Sequence, residues 1–119
     1  MKTLVIGASE KPDRYSNKAI RMLRQFNHEV VAVGMKPGKV EDVSFSNEKQ
    51  LFENVHTVTL YVNPTIQNDY EDYILSLKPK RVIFNPGTEN PGFEKKLREN
   101  AIEPVEACTL VLLSTRQYN

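Results

Sequence analysis

Leu4-Val5-Ile6-Gly7-Ala8-Ser9-Glu10-Lys11-Pro12-Asp13-Arg14-Tyr15-Ser16 is the stretch that decides the fold of this 119-residue chain. Its aliphatic opening is a short continuous run of the kind that forms a strand buried on both faces. Gly7 permits a tight turn and close backbone approach, and the segment beyond it can open a helix whose unpaired amides face a phosphate. Ser9 and Ser16 add hydroxyl donors, and Lys11 and Arg14 add two cations in the same connection. Taken alone, Gly7-Ala8-Ser9 is equally a plain strand-to-helix turn, because the dinucleotide fingerprint asks for three glycines and only one is present.

Working outward, aliphatic runs recur at Val30 to Val33, Val58 to Val62 and Val82 to Phe84, and weakly at Pro104-Val105. Segments of helical period separate them. Ile66, Tyr70, Tyr73, Ile74 and Leu77 fall on one stripe, as do Ala19, Leu23 and Phe26, and Phe93, Leu97 and Ala101. Asn63-Pro64 and Asn90-Pro91 each place a capping side chain before a proline suited to the first helical position, and Asn100 suits a left-handed cap. Ser46 marks the start of a further short helix containing Leu51 and Phe52. This alternation predicts an α/β domain over residues 1–119, a Rossmann-like three-layer fold with a mainly parallel five-stranded sheet of order 3-2-1-4-5 and right-handed crossovers.

Composition narrows the function. Lys plus Arg total 16 against 15 for Asp plus Glu, so no global field draws nucleic acid or an anionic membrane. The apolar runs are too short for a membrane span. Cys108 is the single cysteine, read as a buried structural thiol that suits a reducing compartment, and the expected location is the cytoplasm. His28, His56 and Cys108 lack the spacing of metal ligands, so no metal site is expected. The histidines read as turn or surface residues, and Tyr118 as an exposed tyrosine.

An open parallel sheet binds ligands beyond the carboxyl ends of its strands, where the strand order reverses. Those ends are Gly7-Ala8-Ser9, Gly34 to Gly38, Asn63-Pro64-Thr65 and Asn85-Pro86-Gly87. Domains that bind NAD usually carry an acid after the second strand, to accept from the ribose hydroxyls. Lys36 stands in that region here, which suits a phosphate on the ribose, as in coenzyme A (CoA) or NADP.

The residues Gly7, Ala8, Ser9, Lys11, Pro12, Arg14 and Ser16 resemble the opening of the small stand-alone CoA-binding proteins, whose domain is also found at the start of the succinyl-CoA synthetase alpha subunit. The resemblance extends through Lys36 to Gly38, Asn85-Pro86-Gly87 and Glu106 to Cys108. It implies that Gly7 to Ser9 and Lys11 to Ser16, including Pro12 and Tyr15, would hold the cofactor phosphates; the adjoining Asn17 is expected among the cofactor-binding residues. Lys36 and Pro37 would border the adenosine end, and Asn63, Pro64, Thr65 and Asn85 would complete the cleft. The chain departs from the pattern in two places: Met35-Lys36-Pro37 stands where many members have Asn-Pro-Lys, and Ala107 where arginine is common. The expected function is binding of CoA or an acyl-CoA, a small-molecule cofactor, without catalysis by the chain itself. Two other functions remain open, an NADP-type oxidoreductase and a regulatory domain that has lost its ligand.

Overall fold

A computed structural model describes residues 1–119. Strand β1 (Lys2–Ala8) leads through the decisive turn into helix α1 (Tyr15–Gln25) and strand β2 (Glu29–Gly34). A small hairpin follows, β3 (Gly38–Val40) and β4 (Val43–Phe45), then β5 (Val55–Leu60), α2 (Pro64–Gln67) and α3 (Glu71–Leu77). The chain closes with β6 (Arg81–Phe84), α4 (Pro91–Glu99), β7 (Glu103–Glu106) and α5 (Thr109–Ser114). No helix is long and apolar enough to cross a membrane.

The main sheet is parallel throughout, in the order β2-β1-β5-β6-β7. A single parallel bridge, Val33 to Ser46, lies outside β2. Giving that segment the outermost place reproduces the expected 3-2-1-4-5 pattern, with the reversal at β1. Because β1 is central, its alternate residues enter two cores. Leu4 and Ile6 pack with Val58, Leu60, Ile74, Phe84, Phe93 and Leu97, while Val5 packs with Ile20, Leu23, Ile83, Leu113 and Tyr118 on the opposite face. Each such aliphatic or aromatic side chain contributes roughly 1.5–3 kcal/mol by leaving water.

Several local expectations change. The stripe from Ile66 to Leu77 is not one helix. Asn68, Asp69 and Tyr70 donate to carbonyls three residues back, which tightens the chain between α2 and α3 before the α-helical bond from Ile74 to Tyr70 restarts it. Ser46 does not cap a helix, since it is drawn into the sheet edge and residues 47–54 are irregular. In α1 the inward face is Ala19, Ile20 and Leu23, and Phe26 is the exposed C-cap residue. After α4 the left-handed position falls on Ala101 (φ 61°), because Asn100 keeps φ −107° and turns its amide onto the Lys96 carbonyl at 2.8 Å. Helix α5 carries the apolar run Leu110 to Leu113, for which no helix was expected. Cys108, at its N-cap, is half-buried rather than buried.

Tyr118 is not exposed: it is 1% accessible and fastens the C-terminal segment beneath the sheet. Its hydroxyl shares a 2.6 Å hydrogen bond with Thr3 Oγ1, Arg81 stacks on its ring, and Arg81 Nη2 donates to its carbonyl at 2.6 Å. His28, also buried, meets the same ring edge-on at 5.0 Å, and burial together with the nearby positive charges holds its pKa below the ordinary value. Tyr118→Phe deletes one hydroxyl and strands Thr3 Oγ1 without a partner. The expected loss is about 1–3 kcal/mol, read as a lower midpoint at unchanged slope in urea unfolding.

Candidate functional site

The carboxyl ends of β1, β2, β5 and β6 surround a cleft of about 730 Å³ over the strand reversal, a size usual for cofactor sites. Gly7 forms its floor at φ 97°, and a Cβ there would stand 2.8 Å from the Tyr61 carbonyl oxygen. Gly34 allows a second close approach, its Cβ position lying 2.5 Å from the Ala8 carbonyl oxygen. Both glycines therefore let neighbouring strand ends close to contact distance, which leaves the turn after β1 low and open.

Helix α1 begins on that turn without a side-chain cap. Arg14 is the N-cap residue in extended conformation, no acid lies in the first turn, and the first helical bond runs from Lys18 to the Arg14 carbonyl. The amides of Tyr15, Ser16 and Asn17 consequently find no protein acceptor. Unsatisfied amides and the helix dipole favour an anion there. Lys11, Arg14 and Lys36 border the same cleft. None of them joins an ion pair; the protein's carboxylates engage Lys2, Arg21, Arg24, Lys96 and Arg98 instead.

Glu10 is the acid among the lining residues, and its Oε2 accepts from the Lys39 amide at 2.9 Å. That bond joins the β1–α1 turn to the β3–β4 hairpin. Arg21 to Glu41 at 3.0 Å and Arg24 to Asp42 at 2.9 Å fasten the hairpin further, and the Arg24 fork holds the Asp42 carboxyl below its usual pKa. The hairpin thereby sets the wall that carries Lys36, Pro37 and Phe45. Tyr61 closes the floor. Burial raises its phenol pKa, and its Oη is buried without a hydrogen-bond partner. The Thr59 and Thr109 hydroxyls lie close enough to influence that ionisation, but they bond each other at 2.8 Å.

Of the residues expected from sequence, Gly7, Ala8, Ser9, Lys11, Arg14, Tyr15, Ser16, Lys36, Pro37 and Asn63 line the cleft. Five do not. Asn17 lies underneath, donating to the Ser9 carbonyl at 3.0 Å and accepting from Arg21 Nε at 2.7 Å, so it braces the turn. Asn85 is buried, with its amide on Thr59 and Leu60 and its oxygen on the Thr109 amide. Pro12 sits exposed on the turn, and Pro64 and Thr65 are exposed on the first turn of α2 while Asn63 caps it through the Ile66 amide. The expectation missed Phe45, Tyr61, Val62, Ile66 and Thr88 as lining residues. Tyr61 and Val62 end an aliphatic run, which was the available signal; Thr88 carries none.

A parallel sheet that reverses beside a Gly-Ala-Ser turn, with an open cleft above the reversal, defines the Rossmann-like class of α/β domain. Within that class the chain belongs to the CoA-binding domain family, whose family model matches residues 1–114. A crystal structure of an uncharacterized protein is similar at 52% identity with a TM-score of 0.95, over 98% of this chain and 96% of that one. A structure from Thermus thermophilus is 26% identical with a TM-score of 0.86, over 98% and 89%. A hypothetical protein from Pyrococcus horikoshii shares the fold at 22% identity and a TM-score of 0.82, over 98% and 83%. A comparison with curated proteins gives no match.

Gly7→Ala would combine a strained positive φ with a clash against the Tyr61 backbone. The expected loss of stability is about 2–4 kcal/mol. Urea unfolding checks it, and a loss under about 0.5 kcal/mol would mean that the turn relaxes freely.

Proposed function

We propose that this protein binds coenzyme A or an acyl-CoA as a cytoplasmic binding module and holds the ligand without transforming it. The observation that carries this assignment is the convergence of acceptor-less α1 amides with three unpaired cations at the strand reversal. A diphosphate laid across the Gly7 to Ser9 turn would accept from the Tyr15 and Ser16 amides. Arg14 and Lys11 would offset its charge. Lys36, across the cleft on the β2–β3 turn, would take the phosphate on the ribose, and Met35 and Pro37 would border the base. NADP carries a ribose phosphate too, and membership of the CoA-binding domain family favours CoA over it.

Two measurements test the assignment. CoA should raise the melting temperature more than dephospho-CoA, with NAD having little effect, and Lys36→Ala should erase the difference between the first two. Equal shifts with the wild-type protein would remove Lys36 from this role, and a larger shift with NADP than with CoA would overturn the choice of cofactor. Arg14→Ala should weaken CoA and dephospho-CoA alike by about 1.5–3 kcal/mol, the worth of a charge-assisted hydrogen bond. Unchanged affinity in titration calorimetry would take Arg14 out of the site.

A further inference from the structure

The cleft is divided by charge. Lys11, Arg14 and Lys36 gather toward α1 and the β2–β3 turn, whereas the wall formed by the ends of β5 and β6 offers Val62, Ile66, Pro86, Gly87 and Thr88 and no charged side chain. An anionic ligand held at the first half would lay any uncharged extension along the second.

That second wall is made of two separate loops, and one side chain joins them. Gln67 is 0% accessible. Its Nε2 donates to the Val62 carbonyl at 2.9 Å and to the Thr88 carbonyl at 2.8 Å, and its Oε1 accepts from Asn90 Nδ2 at 2.9 Å. Asn90 in turn accepts from the Phe93 amide and so ties the bridge to the start of α4. A buried primary amide is costly unless bonded, and here both of its donors are spent on residues that line the cleft. The neighbouring core side chains of this face are aliphatic or aromatic. Filling space there would not require an amide; fixing the distance between two loops would.

We infer that Gln67 is the positioning residue of the uncharged half of the cleft: by bridging Val62 and Thr88 it sets the spacing of the wall against which the non-nucleotide arm of the ligand lies. This rests on the cofactor assignment above and adds a division of labour to it, with cations and helix amides retaining the nucleotide and the Gln67 bridge retaining the arm.

The test compares whole and truncated ligands. Titration calorimetry of the full chain with CoA and with adenosine 3′,5′-bisphosphate, which lacks the arm, is repeated for Gln67→Leu. The expected result is a loss of about tenfold in CoA affinity with the bisphosphate changed by less than about twofold. Parallel losses for both ligands, or none for either, would overturn the role of Gln67, since a merely structural side chain acts on both halves. If Gln67→Leu does not fold, Asn90→Ser keeps a capping oxygen for Phe93 and removes only the bond to Gln67 Oε1; it should lower CoA affinity alone by about threefold. A wild-type protein that binds neither compound overturns the cofactor assignment and this inference together, while wild-type binding with the wrong variant pattern overturns only this one.

Discussion

A helix cannot begin in an apolar setting without giving its first amides an acceptor. α1 begins at the mouth of the sheet and supplies none from its own side chains. The surrounding architecture is what makes this tolerable. Gly7 lowers the turn so that the amides face an open cleft, Asn17 braces the turn from below through Ser9, and the unpaired cations make the locality attractive to an anion. Turn geometry and electrostatics thus converge on a helix start and a set of cations that favour negative charge at the cleft.

The parts of the fold that could be read from sequence are those governed by local chemistry. Short aliphatic runs announced β1, β2, β5 and β6, because a strand covered on both faces has no polar side to display. Asn63-Pro64 and Asn90-Pro91 announced two helix starts, and both asparagines do accept from amides inside the helices they cap. The illegible parts depend on partners distant in sequence. Tyr118 looks like a free aromatic until Thr3 and Arg81, from the starts of two strands, are brought against it. Two three-residue strands gave no periodicity, so the β3–β4 hairpin and the place of Phe45 in the cleft wall could not be foreseen.

The same distinction explains the site. Gly7, Ser9, Lys11, Arg14 and Lys36 occupy turns whose position in the fold follows from strand order alone, and all reach the cleft. Asn17 and Asn85 stand at equally suggestive places, yet their amides are consumed internally. Position along the chain indicates nearness to the site; only the full set of hydrogen-bond partners separates a residue that faces a ligand from one that supports the turn beneath it.

The Tyr118 anchor has a further consequence. It fixes the closing residues against Thr3 and Arg81, at the amino ends of the strands, while the crevice opens at their carboxyl ends. Both extremities of the polypeptide are thereby gathered at the pole opposite the ligand mouth. A dye, an affinity handle or a second domain appended at either extremity would leave the entrance unobstructed, and the polypeptide can be tethered to a surface with its crevice facing solution.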